Sequence, residues 1–412
     1  MAIPTPGLLD RFCRYVRVHT EAVEGSLTYP SSPGQLELGK MLLDELRAIG
    51  LADAKQSEFG IVTATIPATV SGKPTIAWIA HLDTSPETSG KNVKPIVHEN
   101  YDGKDITLPG DPSKVIRISD SPDLLACVGK TVITTDGTTL LGADNKAGVA
   151  VIVETAAYLA KHPEVLHGAI RVVFTCDEEI GHGVDRVDPK EIGAVVGYTL
   201  DGSAAGEIEA ETFSADKAVV TIRGVNIHPS IGKGRMVNAI RLAGLFLDRL
   251  PRTTLTPETT EGRQGFIHPY RIEGGVAETQ VQCLLRDFAT AKLGEEAELL
   301  RIIARTIEVE YSGARIEVKV VPQYRNMADG MKSEPRAIEY ALEATRRAGM
   351  EPKLGIIRGG TDGSQLTAKG LPTPNLSTGE HNLHSPLEWT CLEEMQSAVR
   401  VLVELAQVWA EG

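Results

Sequence analysis

"GAIRVVFTCDEEIGHG", residues 168–183, decides how this chain is read. An apolar run, Ile170 to Phe174, leads straight into three adjacent acids, Asp177, Glu178 and Glu179. Like charges this close repel, and each raises its neighbour's pKa. A solvated turn carries such a triplet easily. The end of a buried strand does so only if something positive sits opposite. Two further apolar runs end in the same way. "PTIAWIA" (74–80) enters His81-Leu82-Asp83, and "AVVGYTL" (194–200) enters Asp201. All three runs are too continuous in apolar character to be half exposed, which is the mark of strands buried on both faces of a parallel sheet.

Between these runs lie helical patterns. "GQLELGKMLLDELRAIG" (34–50) is amphipathic and stops at Gly50, and "KAGVAVIVETAAYLAKH" (146–162) is a helix. Strand and helix alternate through residues 1–212, so this part is expected to be an α/β layer with a mostly parallel sheet. Near residue 213 the pattern changes. "DKAVVTIRG", "MVNAIRLAGLFLDRL", "FIHPYRIEG", "VAETQVQCLLRDF", "GEEAELLRIIARTIEVEYSG" and "ARIEVKVVPQY" follow one another as β-α-β-β-α-β, the ferredoxin-like order. After about residue 325 the α/β pattern resumes. The expected organisation is a discontinuous catalytic domain, 1–212 with 325–412, interrupted by an inserted α+β domain over 213–324. Residues 84–140, rich in Pro, Gly, Asp and Ser, exceed an ordinary βα connection.

The bulk numbers fit this organisation. A chain of 412 residues is long for one core. Its formal net charge of −13 argues against nucleic acid or an anionic membrane as partner. The N-terminus lacks a secretory pattern, and no apolar run is long enough to span a bilayer. The five cysteines, Cys13, Cys127, Cys176, Cys283 and Cys391, are widely spaced, so reduced thiols and a cytoplasmic location are expected.

In an open α/β sheet, ligands bind in the crevice beyond the carboxyl ends of the strands. His81, Asp83, the 177–179 acids and Asp201 are therefore expected to converge there. Asp144, in "LLGADNKAG" just before a helix, and the late pair His381 and His384, in "TGEHNLHSP", are further candidates. Such a crowd of acids is stable if divalent cations become its largest local charges. Mixed imidazole and carboxylate donors suit zinc, with cobalt or manganese as substitutes. Two ions need a bridging carboxylate, and Asp144 at its tight turn is the natural one. Of the adjacent Glu178 and Glu179, one can bind metal while the other faces a reacting water. Asp83, two residues after His81, is placed to accept the imidazole's second N–H.

"HLDTSP", "LLGADNKAG", "DEEIGHG", "LDG" and "TGEHNLHSP" together resemble the M20 metallopeptidase family, and within it the tripeptide aminopeptidases. The longer strings "SGKNVKPIVHENYDG" (89–103) and "NIHPSIGKGRMVNA" (226–239) extend the resemblance. It implies a metal-dependent exopeptidase that removes the N-terminal residue from tripeptides with two Zn2+ per subunit. His81 and Asp201 are then ligands of one ion, Glu179 and His381 of the other, and Asp144 the bridge. Asp83 and Glu178 are the catalytic pair, Glu178 as general base. The inserted domain is implied to be a lid that also serves dimer formation. His228, Asn238, Arg286 and Arg358 are implied as substrate contacts, Arg358 from the α/β domain. His384 is expected to be a surface or structural residue. One position departs from the tripeptide-cleaving pattern: Asn145 stands where a second Asp is common. A dipeptidase or N-deacylase of the same family is the alternative, and a non-catalytic peptide-binding protein the alternative from another class.

Overall fold

The computed structural model describes residues 3–412, so Met1 and Ala2 of the N-terminal stretch lie outside it. The chain divides into two compact units. The first is Met1–Ala210, Met327–Gly355 and Thr361–Gly412, and the second is Glu211–Asn326 with Ile356–Gly360.

The first unit is built on an eight-stranded mixed sheet. Its strands are β1 (Lys55–Gln56), β2 (Val62–Ile66), β3 (Ile76–His81), β4 (Ile170–Thr175), β5 (Val196–Gly202), β6 (Glu207–Thr212), β7 (Lys353–Ile357) and β8 (Asn375–Ser377). Their spatial order is β1-β2-β4-β3-β5-β8-β6-β7. The four central strands, β4, β3, β5 and β8, run parallel. β2 and β6 flank them antiparallel. Every residue of β3 is buried, as its unbroken apolar run requires. The apolar strands and the helices α1 (Leu8–Tyr15), α2 (Pro33–Ile49), α3 (Ala143–Lys161), α4 (Arg336–Arg347) and α5 (Leu392–Glu411) share one hydrophobic core. α3 is buried along nearly its whole length, and its Gly148 allows close approach to β5. A Cβ there would collide with the Leu200 carbonyl and the Asn145 side chain. Gly50 ends α2 in the left-handed conformation that glycine adopts at little cost.

The long segment 84–140 is no bare loop. Its strands Ile96–His98 and Val132–Thr134 join Trp389–Cys391 and Glu380–His381 in a second, four-stranded sheet. A small core of Tyr101, Ile106, Leu108, Ile116, Leu124, Cys127, Val132, Trp389 and Cys391 backs it. This sheet carries the loop between His381 and Trp389.

The second unit is a four-stranded antiparallel sheet in the order Phe266–Gly274, Glu278–Asp287, Ser214–Arg223, Arg315–Tyr324. The helices Ala239–Asp248 and Thr290–Glu310 complete the β-α-β-β-α-β order and bury its apolar face. Among the described residues, no helix is long and apolar enough to cross a membrane.

Candidate metal centre

The parallel strands deliver their terminal side chains to one crevice of the first unit. His81 closes β3, Asp201 lies near the end of β5, and Glu178 and Glu179 follow β4. Asp144 enters α3 with non-helical backbone (ψ 105°), which frees its side chain from the helix register. His81 Nε2 stands 2.9 Å from Asp144 Oδ1 and 3.3 Å from Asp201 Oδ1. The other Asp144 oxygen, Oδ2, faces His384 Nε2 at 3.2 Å, and Glu179 Oε2 is 3.0 Å from the same nitrogen. Two three-residue donor sets result, His81–Asp144–Asp201 and Asp144–Glu179–His384. They share Asp144, one oxygen to each.

Here the structure corrects the sequence reading. His384, expected at the surface or in a structural role, completes the second donor set, whereas His381 does not reach it. The cause is strand pairing: His381 lies opposite Trp389 in the second sheet, with the two rings stacked 3.8 Å apart. Its Nε2 contacts Glu394 Oε2 at 2.8 Å instead. The following loop turns back at His384, whose φ is +59° and whose carbonyl accepts a hydrogen bond from the Thr88 hydroxyl.

The acids after β4 divide their labour more sharply than adjacency implies. Asp177 turns inward at φ +64° and accepts hydrogen bonds from the Ser31 N–H, the Ser31 hydroxyl and the Gln35 amide. The Asp177 N–H returns one to Gln35. That carboxylate anchors the turn and has no free face for chemistry. Glu179 points into the second donor set, and Glu178 belongs to neither set. Asp83 accepts the backbone N–H groups of both glutamates, 3.1 Å to Glu178 and 3.0 Å to Glu179. Its carboxylate also lies 3.4 Å from His81 Nδ1. The Asp83 carbonyl is closer, 3.1 Å from the same nitrogen, so one buried residue orients the imidazole mainly through its backbone and the Glu-Glu turn through its carboxylate.

Three buried acids escaped sequence reasoning. Glu388 accepts the N–H groups of Leu141, Gly142 and Asp144, pinning the turn that presents Asp144. Asp362 is held by the Thr175 hydroxyl, and Glu380 by the Thr378 hydroxyl. Nothing in their spacing sets them apart from surface acids.

The electrostatics show what this crevice lacks. Burial and the neighbouring Asp144 push the Glu179 carboxyl up to about 8. Burial raises Asp201 to about 7 and holds Glu178 well above the usual carboxylate range. Burial alone would lower His81, but Asp201, Asp144 and Asp83 hold it well above an ordinary imidazole. The buried Glu179 Oε1 has no hydrogen-bond partner. Several acids that cannot all ionise, two imidazoles and an orphaned carboxylate oxygen make a donor set suited to divalent cations.

The substrate contacts expected in the inserted domain are all engaged inside the second unit. Asn238 caps the helix Ala239–Asp248 through the N–H groups of Ile240 and Arg241. His228 is bonded to Ser230. Buried Arg286 donates to the carbonyls of Asp216 and Leu285 and lies over the Tyr324 ring. Arg358 belongs to this unit rather than to the α/β part. Its guanidinium donates to Gly262, Gln264 and Thr260 and stands over the rings of Phe213 and Phe266.

A parallel-centred α/β sheet whose strand ends converge on shared carboxylate and imidazole donors defines a metal-dependent hydrolase. Residues 136–408 match the model of peptidase family M20/M25/M40, and the chain belongs to that family of metallopeptidases. It is 44% identical over 405 residues to Peptidase T of Listeria monocytogenes serotype 4a (strain HCC23), covering 98% of both chains. It is 45% identical over 401 residues to Peptidase T of Bacillus subtilis (strain 168), covering 97% of this chain and 98% of that one. Its fold is similar to the crystal structure of the aminopeptidase PepT from Bacillus cereus, with a TM-score of 0.77 at 24% identity over the whole of both chains.

Asp177→Ala is expected to destabilise the protein by roughly 3 kcal/mol, because the Ser31 and Gln35 donors lose their buried acceptor. Urea denaturation of the variant checks this, and wild-type stability would remove the anchoring role.

Proposed function

We propose that this chain removes the N-terminal residue from tripeptides, using two divalent ions, zinc in the first instance, held by the two donor sets that share Asp144. The observation that carries the reading is that shared carboxylate, with Glu178 next to Glu179 in the chain and outside both sets. Peptidase T relatives at 43–45% identity over almost the whole chain support the same assignment. His81 and Asp201 hold one ion, Glu179 and His384 the other, and Asp144 both; His384 replaces His381 in this role. The bound ions supply the positive charge that offsets these carboxylates and polarises the scissile carbonyl.

The protein's own groups do the rest. Asp83 fixes the His81 tautomer through Nδ1, so that Nε2 faces Asp144 and Asp201. Its carboxylate holds the Glu178 and Glu179 backbone and sets where both side chains point. Glu178 accepts a proton from the attacking water and returns it to the leaving amine. Burial raises the Glu178 carboxyl, and cations in the adjacent donor sets would oppose that rise and favour the ionised base. His228, Asn238, Arg286 and Arg358 are the proposed contacts of substrate, the arginines serving the free carboxylate. The reading further includes a cytoplasmic location, and a lid over 213–324 through which two copies pair.

Glu178→Gln keeps metal and peptide binding but lowers kcat about 100-fold or more. A rate near wild type would reject Glu178 as the base, and an active metal-free protein would reject the whole reading. The same variant separates an enzyme from a peptide-binding protein, which needs ligands but no base. His384→Ala raises the metal concentration for half-maximal turnover at least about tenfold, the effect of losing even an outer partner of a ligand. His381→Ala is expected to change that concentration less than His384→Ala does. Arg286→Ala raises KM for a free tripeptide but not for its C-terminal amide; equal effects on both would return Arg286 to a purely structural role.

A further inference from the structure

His381, turned away from the crevice, stands beside another cluster of ligating groups. The sulfurs of Cys127 and Cys391 and a carboxylate oxygen of Glu394 all lie within 4.8 Å of one another. His381 Nε2 is 2.8 Å from Glu394 Oε2, and its Nδ1 is 3.8 Å from Asp123 Oδ2. All four groups are buried: both cysteines are fully inaccessible, Glu394 is 8% exposed and His381 6%. They come from separate parts of the first unit. Cys127 closes the 3-10 turn Pro122–Cys127 of the long segment 84–140. His381 precedes the loop that carries His384. Cys391 and Glu394 form the entry to α5.

We infer that Cys127, Cys391 and Glu394 form a third, structural metal site for a thiophilic divalent ion such as Zn2+, with His381 outside the donor set and bonded to Glu394. Two sulfurs and one carboxylate oxygen within 4.8 Å of one another are three of the donors a zinc ion takes, with bonds of about 2.0–2.3 Å. No donor is shared with the two sets around Asp144, so the inference does not rest on the proposed hydrolysis. On binding, the two thiols release their protons to solvent and two sulfur–metal bonds form. His381 Nε2, 2.8 Å from Glu394 Oε2, orients that carboxylate from outside the donor set. Such an ion would tie the 84–140 segment to the start of α5. It would thereby fix the strand from which the His384 loop departs.

The test is cobalt substitution of the whole protein. Cobalt bound by thiolate absorbs strongly in the near ultraviolet, and cobalt bound only by imidazole and carboxylate does not. The band is expected in the wild type and in Cys176→Ser, and is expected to vanish in Cys127→Ser/Cys391→Ser. That double variant is also expected to hold about one zinc fewer per chain than the wild type. If it fails to fold, Glu394→Gln serves in its place: the thiolate band persists and the visible cobalt bands shift. Absence of the near-ultraviolet band in the wild type, its persistence in the double variant, unchanged visible bands in Glu394→Gln, or a Cys127–Cys391 disulfide found by mass would each overturn the site.

Discussion

The interaction on which the first unit depends is the mutual repulsion of carboxylates gathered where the parallel strands end. Asp144, Glu178, Glu179, Asp201, Asp362, Glu380 and Glu388 are drawn into one region, and most are pushed by burial toward holding protons. Parallel strands force this convergence, because their carboxyl ends all open on the same edge. Two imidazoles offset part of the charge. His384, despite its burial, is raised to about 11 by Asp144 and Glu179. Divalent ions would offset far more, and in the proposed reading Asp144 is the carboxylate that two donor sets share.

Around this core the structure assigns acids to distinct tasks by what each accepts. Asp177 takes N–H and O–H donors from Ser31 and Gln35 and becomes an anchor. Asp83 takes two backbone N–H groups and an imidazole and becomes an aligner. Glu388 takes three N–H groups at the entry to α3 and keeps the Asp144 turn in place. Glu178 is left outside both donor sets. Acids with nearly the same chemistry in isolation thus differ because the backbone around each differs.

The second sheet plays a comparable part for the late histidines. It places His381 against Trp389 and Glu394, and releases the loop in which His384 turns back to Asp144. Two histidines three residues apart in an unpatterned stretch carry no sign of which one faces the acids. In a helix that spacing would put both on one face, and in a strand on opposite faces. Here the first is held in a strand and the second lies in a left-handed turn, so neither periodicity applies.

What the sequence by itself determined is the set of buried strands and the acids at their ends. Apolar runs such as Ile76–Ala80 can be satisfied only inside a sheet, and the residue after such a run must emerge at its edge. The convergence of His81, Glu179 and Asp201 was therefore legible, Asp144 was read instead from its turn before a helix, and the β-α-β-β-α-β order after residue 213 was legible from its periodicity. Only the tertiary structure decided that His384 and not His381 meets Asp144, that Asp177 turns inward, that Arg358 packs with Thr260 and Phe213, and that Glu388 supports the turn. These choices depend on partners 98 to 247 residues away in the chain, and local periodicity carries no information about contacts at that separation.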